Sequence, residues 1–390
     1  MSTASRPIAA GVVTALVGFT GAFAVVLAGL TGVGATHAQA ASGLLAVSVT
    51  MGLASIGLAL WTRLPVTVAW STPGAALLAA TGPVEGGWPA AVGAFLVTGV
   101  LIMLTGLVTP LGRLIAAIPR SIAQAMLAGV LLPLCLGPIT GAVANPWAVL
   151  PVVLVWLVAL RFLSRWAVPL AFATAVAVIA IHLVTTGSAV DPSAFVPVVE
   201  LTMPGWSLGA TLGIALPLWL VTMASQNVPG VAVMRSFGYE APWRASMVVT
   251  GIGTLLGAPA GGHAINLAAI SAALAAGPEA GEDRSRRWIA SVTSGIGVIV
   301  LGIGSAAFGA VVLLAPAGVV PAVAGLALIA TFAAAVSQAI EEPAERIPAA
   351  ATFLVAASGI AVAGVSAAFW ALVVGLVVRT VLVGFRRGPA

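Results

Sequence analysis

Of 390 residues, 61% are hydrophobic and only 6% are charged, where a soluble globular protein carries roughly 25% charged residues. Such a chain cannot cover a water-facing surface, so lipid must be the solvent for most of it. The net charge of +5 comes from arginine alone, set in short connections between apolar stretches; that placement excludes a nucleic-acid partner and reads as a topology signal.

In chain order, Met1 to Ala10 carries one arginine ahead of a long apolar run. The run from Ile8 to Leu30 is long enough to span and is read as the first membrane helix, 8–31, and not as a cleaved signal peptide. Further spans are predicted at 38–61, 66–81, 88–108, 120–137, 146–163, 166–186, 207–225, 242–258, 262–277, 287–313, 319–339, 348–362 and 366–385. The expected fold is therefore an all-α polytopic membrane protein of about fourteen transmembrane segments. Two of them, 66–81 and 262–277, are too short for a full helix. The lone cysteine, Cys135, lies in an apolar stretch and excludes an internal disulfide.

Arginine placement tests the count. With the N-terminus and Arg6 in the cytoplasm, the connections holding Arg63, Arg113 and Arg120, Arg161 and Arg165, Arg235 and Arg244, Arg284, Arg286 and Arg287, and Arg346 all fall inside. The C-terminal Arg379, Arg386 and Arg387 do too. Outside connections hold only Glu85, Asp191 and Glu200. Both termini are thus expected in the cytoplasm.

The chain also reads as doubled. Ala75 to Pro83 is AALLAATGP and Ser271 to Pro278 is SAALAAGP, about half a chain apart, each in a short segment. Seven spans per half would invert the second half, residues 191–390, relative to the first, residues 1–190. Interrupted segments at matching positions of inverted repeats point to a transporter binding site.

The first interrupted segment places β-branched Val66 to Trp70, suited to a short strand, before Ser71 or Thr72 as a helix N-cap and Pro73 in the first turn. A half-helix starting at mid-membrane presents free N–H groups that need a partner, such as an anion. The second holds Gly261 and Gly262, then His263 and Asn266, read as sharing a helix face. A third candidate is the polar cluster Thr222, Ser225 and Gln226 before Pro229-Gly230; Asn227 beside it reads as a cap at the cytoplasmic interface. No acidic residue lies mid-span, which leaves His263 as the one titratable group deep in this region, and Glu341, Glu342 and Glu345 read as solvated. No Walker, HExxH or GxSxG motif is present, so an enzyme is not expected.

AWSTPGAALL (Ala69 to Leu78), AMLAGVLL (Ala125 to Leu132), ALPLWLVTMASQNVPGVA (Ala215 to Ala232) and GGHAINLAAISAA (Gly261 to Ala273) closely resemble the benzoate membrane transport family, over essentially the whole chain. The resemblance implies a uracil-permease-like fold: two inverted seven-segment repeats with short strands in segments 3 and 10. It implies a core domain of segments 1–4 and 8–11 and a gate domain of segments 5–7 and 12–14. Carried over by position, it implies a substrate site of Ser71, Thr72, Pro73, Gly74, Thr222, Ser225, Gln226, Gly261, Gly262, His263 and Asn266. Nucleobase members of that fold use acidic residues on segments eight and ten; Gln226 and His263 in those neighbourhoods suit a carboxylate substrate instead.

The resulting expectation is a symporter of the bacterial cytoplasmic (inner) membrane that imports benzoate or a similar aromatic carboxylate with a proton. The carboxylate would sit between two half-helix N-termini near Thr72 and Gly262, the ring against Phe19 and Phe23, and His263 would carry the proton, since its ordinary pKa is about 6.5. No cofactor or metal is expected, and the resemblance implies a homodimer. The alternatives are an anion channel or uniporter on the same fold, a carrier of another small organic anion, and a non-transporting receptor or scaffold.

Overall fold

The computed structural model describes residues 5–187, 195–269 and 271–384. Asp191, Arg386 and Arg387 lie outside the described residues, as does the point where the two halves were divided. Most of the chain is helical, and among the described residues eight helices are long and apolar enough to cross a membrane. Large apolar side chains such as Trp147, Val143, Val184 and Phe162 stand exposed on the outer surface. In water such a surface would be a liability; against lipid it is the expected exterior.

Breaks fall where the local chemistry demands them. The first helix is interrupted at Gly21–Ala22, between Ser5–Thr20 and Phe23–Gly32, and the predicted 287–313 span is broken at Gly304, between Trp288–Ile303 and Ser305–Leu313. The helix His37–Thr62 begins with a reciprocal capping box: Thr36 N donates to Gln39 Oε1 at 2.9 Å and Gln39 N to Thr36 Oγ1 at 3.2 Å. It ends at Arg63 in the left-handed conformation, two residues before Pro65, which could not continue it.

Two short strands follow from this pattern, β1 (Val68–Trp70) and β2 (Ile265–Leu267), paired antiparallel with Val68 opposite Leu267, Ala69 opposite Asn266 and Trp70 opposite Ile265. A two-stranded ribbon inside a membrane leaves both outer edges without water, so its free N–H groups need protein partners. Side chains of three helices supply them. Ser55 Oγ accepts from Val68 N at 2.8 Å, Thr254 Oγ1 from Ile265 N at 3.1 Å, and Asn227 Oδ1 from Leu267 N at 2.8 Å. The predicted interfacial role of Asn227 is therefore corrected: it is fully buried and closes the edge of β2.

The helix Leu208–Ser236 contains two wide turns, Thr211–Ala215 and Met223–Asn227, ahead of Pro217 and within reach of Pro229. A proline lacks the N–H that would bond the carbonyl four residues back. The carbonyl freed by Pro217 is that of Gly213, and it accepts from Ser366 Oγ.

Helix packing falls into a recurrent set of neighbours. His37–Thr62 packs on Trp288–Ile303, and Gly87–Leu107 on Trp243–Gly257. Arg120–Cys135 packs on Val319–Ala339 and Arg346–Ala357, which in turn packs on Ala367–Val383. Close approach is bought with small residues: a side chain at Gly29 would collide with the Ala75 backbone of the neighbouring half-helix.

One charge assignment is corrected. Glu341 and Glu342 are exposed, but Glu345 is 5% exposed; it accepts from Arg379 Nε at 2.7 Å and from Ser121 Oγ at 3.3 Å. A buried carboxylate needs such partners, and the pair pins Ala367–Val383 to the start of Arg120–Cys135.

Candidate functional site

Ser71 ends β1 and N-caps the half-helix Thr72–Thr81, its Oγ accepting from Gly74 N at 3.1 Å. The same Oγ accepts from Thr222 Oγ1 at 2.7 Å, and the Ser71 carbonyl faces His263 Nε2 at 3.3 Å. Asn266, with its amide turned to satisfy its neighbours, accepts from Ser71 N at 3.0 Å and donates to Leu267 O at 2.8 Å. Ser71, Thr222, His263 and Asn266 are all buried. One serine therefore gathers three chain segments, its own, that of Thr222 and the stretch from His263 to Asn266, which lie up to 195 positions apart (266 − 71).

The half-helix leaves one N–H over. Pro73 has none, Gly74 N bonds Ser71 Oγ and Ala75 N bonds Ser71 O, so Thr72 N remains at the positive end of the helix. Two buried side-chain atoms are also without partners, Nδ1 of His263 in this network and Oγ of Ser225, three residues after Thr222. Buried polar atoms that stay unpaired are costly and mark places where a ligand can complete the set. Ser225 and Gln226 follow Thr222 within the wide turn Met223–Asn227, and Pro73 and Gly74 are buried, with Leu218 against Gly74.

Two expectations are corrected here. His263 and Asn266 lie in extended chain at and before β2 and share no helix face. Gly261 and Gly262 are not at a helix start. Gly261, at φ +90°, closes the turn after Trp243–Gly257 and packs against the Trp88 ring and Gly43, while Gly262 N bonds Gly257 O at 2.9 Å. The second short helix, Ala272–Ala276, begins at Ser271. The readable signal was the strand: Ala268 follows Ile265–Leu267 as Ser71 follows Val68–Trp70, so the helix start had to come after it.

Beside this polar hub lies an aromatic cluster. Trp70, adjacent to Ser71 in the chain, meets Phe19 edge-on at 5.3 Å between ring centroids. Phe19 stacks on Phe23 at 5.9 Å, and Phe308 lies 5.2 Å from Phe19 and 5.1 Å from Phe23. Phe172 meets Phe23 edge-on at 4.8 Å. Such geometries are the favoured ones for aromatic pairs. Phe19 and Phe23 flank the break in the first helix; Phe172, Phe308 and Trp70 were not singled out from sequence, because nothing in their spacing ties them together. Among the described residues no group of three His, Cys, Asp or Glu side chains converges on a metal site.

The profile of a family described as benzoate membrane transport protein matches residues 2–381. The chain is 37% identical over 375 residues to the inner membrane protein YdcO of Escherichia coli K12, covering 96% of this chain and 95% of the relative. It is 32% identical over 337 residues to the benzoate membrane transport protein of Acinetobacter baylyi, covering 86% and 85%. Among solved structures it resembles the transmembrane domain of the cyanobacterial bicarbonate transporter BicA, with TM-score 0.59, 16% identity and coverage of 96% and 98%. It also resembles SLC26A9, with TM-score 0.61, 14% identity and coverage of 96% and 65%. These structural likenesses show that the chain shares the fold of those two proteins.

Proposed function

The chain belongs to the benzoate membrane transport protein family, and from that premise we propose that it is a secondary active transporter importing benzoate or a similar aromatic carboxylate with a proton. It is a multi-pass membrane protein and not an enzyme. The carboxylate binds at the start of the half-helix Thr72–Thr81, on Thr72 N and the neighbouring Ser225 and Gln226, with Ser71, Pro73, Gly74, Thr222 and Asn266 shaping the site and His263 taking the proton. The ring packs on Phe19, Phe23 and Trp70. The observation that carries this reading is the adjacency of Trp70 and Ser71, which sets an aromatic wall beside an unpaired helix-start N–H.

We further propose fourteen segments in two inverted repeats, residues 1–190 and 191–390, with both termini in the cytoplasm of a bacterial inner membrane. The core domain holds segments 1–4 and 8–11, the gate domain segments 5–7 and 12–14, and the gate domains pair in a homodimer. The packing of His37–Thr62 on Trp288–Ile303, and of Arg120–Cys135 on Val319–Ala339, supports that grouping. Sliding of one domain on the other gives alternating access.

A uniport reading is kept for one reason: among the described residues at the site, His263 is the single titratable side chain. Uptake of labelled benzoate into proteoliposomes, with and without an inside-alkaline gradient, decides. Accumulation above equilibrium only with the gradient supports symport; equilibration in both cases supports uniport; no uptake of benzoate or other small carboxylates overturns both.

A further inference from the structure

A cleft of about 390 Å³ opens at the arginine-bearing end of the molecule, between the first helix, the end of the second short helix and the connection ahead of Ala167–Thr186. That volume lies in the range of small-molecule pockets, roughly 300–1,000 Å³. Its floor is apolar, from Ala9, Val13, Leu274 and Pro278. Its rim carries two ion pairs: Arg165 Nη1 lies 3.1 Å from Glu279 Oε2, and Arg6 Nη1 lies 3.7 Å from Glu282 Oε1.

We propose that this cleft is a second binding site for small carboxylates, on the path between the substrate site and the cytoplasm, in which Glu279 occupies the place on Arg165 that a passing carboxylate takes. The inference rests on the reading of the protein as a carboxylate transporter with its arginine-bearing face in the cytoplasm. Three observations carry it. A guanidinium over an apolar floor matches an aromatic carboxylate at both ends, since arginine engages a carboxylate through a two-pronged fork. The Arg165–Glu279 pair is about half exposed on each side, so it is weak and readily exchanged for another carboxylate. The first helix also links the cleft to the aromatic cluster: Val13 lines the cleft and stands six residues before Phe19, about 9 Å along the helix. Between them, at Gly18, an added side chain would meet only Ser271, at 4.0 Å.

The test uses the full-length protein and labelled benzoate as probe, in two assays: equilibrium binding in detergent, and the KM for transport from each face in proteoliposomes. Wild type is expected to show a tight and a weak binding component. Arg165→Gln removes the weak one and raises the KM from the cytoplasmic face severalfold, with the opposite face little changed. Glu279→Gln, which removes the internal competitor, strengthens the weak component. Arg165→Lys keeps the charge and retains the weak component, which separates lost binding from lost folding. If Arg165→Gln leaves the weak component and the KM from the cytoplasmic face at wild-type values, the proposal is overturned; absence of a weak component in wild type overturns it as well. A weak component that depends on Arg165 in a protein that transports no carboxylate overturns the transport reading instead and leaves the cleft site standing.

Discussion

Thr222 Oγ1 donates to Ser71 Oγ at 2.7 Å, and this single bond ties the helix Leu208–Ser236 to the cap of the half-helix Thr72–Thr81. Both residues are completely buried, so no water can replace the bond if it is lost.

Thr222→Val keeps the shape and removes the donor. A buried neutral hydrogen bond is worth about 0.5–1.5 kcal/mol of stability, so the unfolding midpoint should fall by a few degrees, and kcat/KM for benzoate should fall with it because the cap of the half-helix loses its tether. Initial uptake rates across a substrate series measure it. An unchanged kcat/KM would remove Thr222 from the binding machinery.

Asn227→Leu should act on stability first. It strands the Leu267 N–H inside the protein, at a cost of about 1–3 kcal/mol. The midpoint of thermal unfolding should drop by several degrees, and more than for any exposed polar substitution on the same helix.

His263→Gln retains a side chain able to face the Ser71 carbonyl but cannot take up a proton. Gradient-driven accumulation should disappear, while exchange of labelled for unlabelled benzoate at equal pH persists. Accumulation that survives in the variant would place the coupled proton elsewhere.

Phe172→Ala opens the aromatic cluster from one side. An aromatic pair is worth about 0.5–1.5 kcal/mol beyond its buried area, so the preference for benzoate over a saturated ring carboxylate should shrink by about two- to tenfold. Competition of the two acids for labelled uptake reads this directly.

Much of this architecture is legible in the sequence. Apolar run length carries the long helices because lipid imposes one long-range rule on the whole chain. The strand-to-helix switch at Trp70–Ser71 was legible because β-branched residues, a cap and Pro73 stand in sequence. What stayed hidden depends on contacts across the fold. Asn227 reads as a helix end until Leu267 N is seen to need an acceptor, and Glu345 reads as solvated until Arg379 and Ser121 converge on it. Phe172 and Phe308 are 136 positions apart (308 − 172), and no periodicity links them. Gly261 and Gly262 misled for the opposite reason: a Gly-Gly pair before a polar residue looks like an open helix start, and here it is a packed turn.

The ribbon of β1 and β2 has a mechanical meaning. Its ladder continues at both ends, with Ser71 N on Ala264 O and Ala268 N on Thr67 O, each at 2.9 Å. Stretching it would break several backbone bonds at once in a dry medium that offers no substitutes. The ribbon is thus a stiff strut, and Ser71 and Ala268 are displaced together or not at all. A ligand held at Ser71 would ride through the membrane in an undistorted cradle. Any difference in affinity between the two faces would then come from the walls that the cradle passes, such as the ring of Phe172, and not from the cradle itself.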